Sequence, residues 1–511
     1  MRPSKPSLLF AVFTWSVLLL RFGYRYGTGD QVELLPYTLF LHDPTLYVHD
    51  FFIQGLNAAV PNERTIMANL LLPFLGHLEV FVFLLHFVVT VVLVMGMEKL
   101  ALRFIPNKYF AWFAILVCMV PLNDYALGNV DLVSDCLQAG NVSIAFIVWA
   151  INLFLDKRFT KAAVLMSLAT FIQLLEGLDV MMLLSGMLLL SAFMGEVSWK
   201  TFAKFIGIFG LTAGVYLVLI LGKKLDTAGN GGLDNETFFQ ILFVFRHPHH
   251  FIFSAFPMAK KLVFFFLVFT GLIFFAMRNK QVFRFMLLGL AGIAVYAVAV
   301  DKFHLIFIGN FQFYKVAQWM KFFGVIALVE LARVYLFYHT EKWLPLKGEK
   351  WLMSGSIVLF WVLMHFRTLL PYNVPFEVFG MKQLDPLITI CRQVQQQTPK
   401  DAVFVVPFDN TAFKFYAQRS CYVEFKANVR HRSFVKQWYN RVQQIYGVGM
   451  QSNTNGFKLQ QLADDYYYHP DLNRIMALKA AGVTHMLVSS TFNCPFGSLL
   501  LRNSDYAVYQ L

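Results

Sequence analysis

Apolar runs that end in Lys or Arg at every second boundary constrain this chain more than any other feature. Runs at 8–22, 79–97, 109–122, 142–155, 162–175, 178–194, 205–221, 262–277, 285–300, 318–337 and 351–369 are dominated by Leu, Val, Phe, Ile and Ala. A helix that crosses a bilayer needs about 20 such residues, with a range of about 17 to 25. The pattern therefore predicts a polytopic α-helical membrane protein with about 11 transmembrane helices. Several runs are shorter than a full crossing. Short runs between long connections predict broken or tilted helices around a cavity, because irregular backbone at membrane depth must be covered by protein or water. A further segment at 62–74, opened by Asn62, Glu63 and Arg64 and interrupted by Pro73, reads as a helix lying at the interface.

Composition agrees. Only 14% of the 511 residues are charged and 58% are hydrophobic, whereas a soluble domain carries about 25% charged residues. Lys and Arg cluster in the turns after alternate runs: Lys99, Arg103 and Lys108; Lys157, Arg158 and Lys161; Lys200 and Lys204; Arg278, Lys280 and Arg284. The positive-inside rule places those turns, and the N-terminal Arg2 and Lys5, in the cytoplasm. The net charge of +13 then reflects anchoring and contact with anionic membrane lipids, not nucleic-acid binding. The first run has no small-residue cleavage site after it and reads as a retained helix.

Residues 371–511 differ in kind. Charged and amide residues return, and no run is long enough to span. Helical patterns at 384–397, 430–446 and 472–481 alternate with apolar strand patterns at 402–407, 484–489 and 506–511. This predicts two domains: a transmembrane domain at 1–370 and an α/β domain at 371–511. An odd number of spans from a cytoplasmic N-terminus puts the second domain on the extracytoplasmic side. Five cysteines show no CxxC spacing, and Cys391 and Cys421 are free to pair if their compartment is oxidising.

Ionisable groups at a membrane boundary are expensive and mark candidate sites. The connection 27–52 holds Asp30, Glu33, His42, Asp43 and Asp50. Gly27 and Gly29 permit a tight turn that delivers Asp30 to the boundary. If that turn opens a helix, Asp30 and Glu33 share a face, and a carboxylate there can act as a general base. Equally, acids in such a connection can simply cap short helices. The run Arg246, His247, His249 and His250 offers dense donors for a phosphate. A basic loop facing lipid headgroups is the alternative, and the HxH spacing also admits a metal, although no complete zinc pattern accompanies it. Lys302, His304, Lys315 and Lys321 add cations at a later boundary, where snorkelling anchors are the plainer account. Glu176, between two short runs, is either a cavity-facing carboxylate or a helix-end residue. No GxSxG, phosphate-loop or dinucleotide fingerprint is present.

The segments GDQVELLPY, HDPTLYVHDFF, RHPHHF and GVTHMLVS, on this topology, resemble an uncharacterised bacterial branch of the GT-C superfamily of integral-membrane glycosyltransferases. The resemblance implies an enzyme of the bacterial inner membrane that moves a sugar from a polyprenyl-phosphate donor to an envelope glycan or lipid acceptor on the outer face. It places the general base, or a ligand for a divalent cation, at Asp30 with Glu33 as helper. The adjacent Asp-Glu pair of protein mannosyltransferases and the WWDYG-like motif of oligosaccharyltransferases are both absent. Two other readings stand beside it: a transporter or flippase of lipid-linked saccharides, and a non-catalytic envelope assembly protein. Inverted repeats would favour transport, and none is evident.

Overall fold

The computed structural model describes residues 5–226, 232–340 and 385–511. Each of the first ten apolar runs is helical: Lys5–Phe22, Leu78–Ala101, Lys108–Met119, Ala139–Leu155, Phe159–Ile172, Leu174–Phe193, Trp199–Phe209 continuing into Val215–Asp226, Met258–Arg278, Lys280–Asp301 and Ala317–Thr340. The eleventh run, 351–369, lies outside the described residues. Among the described residues six helical stretches are long and apolar enough to cross a membrane, and Lys108–Met119, Ala139–Leu155 and Phe159–Ile172 are apolar but shorter. The chain is a polytopic α-helical membrane protein with a C-terminal α/β region. By contacts it forms two compact units: Met1–Tyr24, Val82–Leu217 and His249–Phe376 in one, and Arg25–Phe81, Val218–Pro248 and Glu377–Leu511 in the other.

The first unit is the helical bundle. Leu211 is 82% exposed and Met277 77%. Apolar side chains this bare belong against lipid, not water. Lys99 and Arg103 both bind Asp156, at 3.3 and 2.8 Å, and Arg284 binds Glu196 at 2.7 Å. Lys157, Arg158, Lys161, Lys200 and Lys204 line one shallow depression. The turns that the charge pattern assigns to one side thus meet. The alternate turns form another group: Asp301 accepts from the backbone N–H groups of Phe253 and Ser254, and the fully buried Lys321 donates to the carbonyls of Leu122 and Asn123.

The second unit contains a five-stranded sheet: β1 (Val403–Val405), β2 (Ser420–Cys421), β3 (His485–Ser489), β4 (Ser498–Arg502) and β5 (Tyr506–Gln510). The strand order is β2-β1-β3-β5-β4. β1 is parallel to β2 and β3, and β5 is antiparallel to β3 and β4. The central strands are apolar on both faces, as a covered sheet requires. Phe404, Leu487 and Val508 pack with Ile390 and Val394 of the helix Pro386–Gln397. The helix Leu472–Ala480 is followed by Gly482 at φ +87°, a left-handed stop that glycine adopts without penalty.

The connection 27–52 is not an extended loop. It forms the helix Gln31–His42, and Asp50 caps a second helix, Phe51–Ala58, by accepting from the Ile53 N–H at 2.9 Å. The stretch VELLPYTLFL is apolar on most of its circumference, broken chiefly by Glu33 and Thr38, so it shows no amphipathic period. Nine of the twelve residues of Gln31–His42 are buried, which is how a helix without a polar face survives. The segment at 62–74 likewise runs on, as Thr65–Leu71 and the 3-10 turn Leu72–His77, into Leu78–Ala101. Pro73 sits at the start of the tighter turn, where its missing N–H costs nothing.

Candidate functional site

Asp30 and Glu33 both lie in the second unit, one helical turn apart, in different surroundings. Asp30 takes the N-cap position of Gln31–His42 without making a side-chain capping bond. Its carboxylate is 61% exposed and stands 3.9 Å from the Lys426 ammonium. Lys426 also donates to the Gly29 carbonyl. Gly27 is at φ +71°, and a Cβ there would fall 2.6 Å from the Tyr416 hydroxyl. That hydroxyl donates to the Tyr26 carbonyl at 2.7 Å. The turn that presents Asp30 is therefore clamped from the C-terminal region and requires glycine. Glu33 is buried and ion-paired with Arg64. Arg64 also binds Glu63 at 3.0 Å.

Arg64 opens onto a cavity of about 310 Å³ whose wall is mostly apolar, including Leu56, Ala59, Pro61, Val429 and Phe434. Arg430, His431 and Glu63 are its other ionisable lining groups. Burial lowers the Arg64 pKa to about 10, Asp30 opposes that shift, and the Arg430 charge adds to it. Two guanidinium groups thus share one small, largely apolar space. The His431 Nδ1 lies 2.7 Å from the Ser433 hydroxyl, while its Nε2 is buried without a hydrogen-bond partner among the described residues. Burial lowers its pKa.

Arg246 ends the π-helical turn Gln240–Arg246 and is 2% exposed. It donates to the Lys426 carbonyl at 2.7 Å and lies over the rings of Phe425 and Phe457 at 4.6 and 5.0 Å. Burial lowers its pKa to about 9. Its contacts hold the 425–426 backbone, and through it the Lys426 that faces Asp30. His247 belongs to the same unit, with Nδ1 3.4 Å from the Arg246 guanidinium. His249 and His250 belong to the first unit, where His250 Nδ1 lies 2.8 Å from the Gly128 carbonyl. Lys302 is exposed at the C-cap of Lys280–Asp301. Lys315 and Glu176 are brought together in the bundle, 2.7 Å apart.

Arg64, Arg430, His431 and Lys426 were not singled out as ligands from sequence. Arg64 reads from sequence as part of a helix cap, and Arg430 and His431 read as the first residues of the helical pattern at 430–446. A second cluster also emerged. Lys414 is fully buried, ion-paired with Glu424 and 3.4 Å from Asp50, and its ammonium lies 4.8 Å from the Phe52 ring. Asp50 also accepts from the Cys421 N–H at 2.8 Å. Asp50, Cys421 and Glu424 could by spacing surround a metal. They do not suit one, because the Lys414 ammonium already contacts both carboxylates and burial raises the Cys421 thiol pKa. Two carboxylates sharing one ammonium leave one in excess. It is Glu424, whose Oε1 has no hydrogen-bond partner among the described residues and whose pKa burial raises to about 7. Cys391 and Cys421 are free, buried thiols.

A family model described as a domain of unknown function, DUF6798, matches residues 385–445. That stretch includes β1, β2, Lys414, Glu424, Lys426, Arg430 and His431. No curated protein matches the chain. Solved structures with a related chain trace include ArnT from Cupriavidus metallidurans bound to undecaprenyl phosphate, at 12% identity and a TM-score of 0.46 over 98% of this chain and 97% of that one.

Proposed function

We propose that this protein is a membrane glycosyltransferase that takes its sugar from a polyprenyl-phosphate donor at the cavity of the second unit. The observation that carries the reading is an apolar cavity with Arg64 and Arg430 in its lining and the exposed carboxylate of Asp30 one helical turn from Arg64's partner Glu33. An isoprenoid phosphate needs both halves of such a site: an apolar wall for the chain and guanidinium groups for the phosphate. The acceptor hydroxyl gives its proton to Asp30 as its oxygen bonds to the sugar C1. The bond from C1 to the phosphate oxygen breaks, and the lipid phosphate leaves against the two guanidiniums. Direct attack inverts the configuration at C1. Glu33 orients Arg64, and Arg246 supports Lys426. The site works at the outer face of a bacterial inner membrane, with the acceptor an envelope glycan or lipid.

Binding of undecaprenyl phosphate to the purified full chain in lipid nanodiscs tests this. A charge-assisted hydrogen bond contributes about 1.5–3 kcal/mol, so Arg430→Ala should weaken binding about tenfold or more. Arg64→Ala should do the same, and Arg64→Lys, which keeps Glu33 compensated, should recover part of the loss. Asp30→Asn should bind as the parent does. Unchanged affinity in folded Arg430→Ala and Arg64→Ala would remove the basis of the reading.

A further inference from the structure

Glu176 and Asp179 lie one turn apart on Leu174–Phe193, one of the six long apolar helices. Both are buried, Asp179 completely. Glu176 uses both oxygens: Oε1 accepts from Lys315 at 2.7 Å and Oε2 from the Gln318 amide at 2.8 Å. Neither oxygen of Asp179 has a hydrogen-bond partner among the described residues, and the Gln318 Oε1 is buried and equally unpartnered. Lys315 and Glu176 are the charged groups that act on Asp179. The local count is two carboxylates against one ammonium. A buried carboxylate with neither counter-charge nor donor is strongly disfavoured, above all at membrane depth.

We propose that Asp179, one turn from the Glu176 that Lys315 and Gln318 hold, forms a buried site for one small monovalent cation, a proton or Na⁺. One positive charge brings the group to neutrality, whereas a divalent ion would leave it positive. The vacant acceptors are all hard oxygens, which suits either occupant and no soft metal. With the charge in place, Glu176 stays committed to Lys315 and Gln318. That ties Leu174–Phe193 to the start of Ala317–Thr340. The site is independent of the glycosyltransferase reading and stands or falls without it.

The test uses the purified full chain in nanodiscs, as parent, Asp179→Asn and Glu176→Gln. Thermal unfolding is followed in NaCl against choline chloride at equal ionic strength, and infrared spectra are recorded for the carbonyl band of a protonated carboxylic acid. A Na⁺ site predicts a parent Tm that rises with NaCl and not with choline, and a response lost in both variants. A proton site predicts no Na⁺ response and a carboxylic acid band that vanishes in Asp179→Asn. Asp179→Asn removes the excess charge at near-constant shape. If it fails to fold, Glu176→Gln removes that charge by another route and gives the same readout. A parent with neither a Na⁺ response nor a band assignable to Asp179 overturns the proposal, as do folded variants that keep the parent's responses.

Discussion

Asp30 and Glu33 show how much one helical turn changes a carboxylate. Their spacing and the glycines before them are legible in the sequence. Their partners are not, because Arg64, Lys426 and Arg430 come from segments far apart in the chain. The Lys414 cluster was hidden for the same reason: Asp50 is separated from Lys414 and Glu424 by more than half the chain. Lys414→Met should destabilise the second unit by about 3–5 kcal/mol, the usual cost of leaving buried charge uncompensated, as read by chemical denaturation. Glu424→Gln tests the excess carboxylate. The folded pKa of Glu424 is raised from 4.5 to about 7. Its stabilising contribution is therefore present below pH 4.5 and lost as pH rises through about 7. The parent should lose stability across that window and Glu424→Gln should not; parallel pH profiles would show that Glu424 is not the group that titrates.

Among elements, long apolar helices and central strands follow from composition and period. β1, β3 and β5 fall within the predicted patterns. β2 and β4 do not: β2 has two residues, and β4 is an edge strand whose side chains are largely exposed. A helix opening after the Gly27–Asp30 turn is legible as a possibility; the extent of Gln31–His42 is not, because the helix lacks a polar face. Its burial, together with Asp50 against Lys414 and the bond from the Tyr47 hydroxyl to the Lys414 carbonyl at 3.1 Å, makes residues 25–81 part of the fold around the sheet. A fragment restricted to 371–511 should thus be protease-sensitive when expressed alone in an oxidising compartment. Protection should rise when 25–81 is supplied on the same polypeptide. A fragment that is fully protected alone would show that the sheet region needs neither the Lys414 pair nor the first connection.

For the whole molecule, the alternation of Lys and Arg turns is the strongest sequence signal of topology, and the bundle gathers Lys99, Arg103 and Asp156 accordingly. In the proposed frame Lys99→Cys and Arg158→Cys stay unlabelled by an impermeant thiol reagent on intact cells, while His249→Cys and Lys400→Cys react; labelling at 158 but not at 400 inverts the frame. What the chain does there rests on Asp30. The most direct measurement is sugar transfer from a panel of polyprenyl-phosphate sugars by the reconstituted parent and Asp30→Asn, with donor binding measured in parallel. The account predicts transfer with inversion by the parent. It predicts a rate about 10² to 10⁴ lower for Asp30→Asn, the loss of a general base, at unchanged donor affinity. Transfer by Asp30→Asn at the parent rate would contradict it, and so would a parent that consumes no donor while moving lipid-linked saccharide across the bilayer.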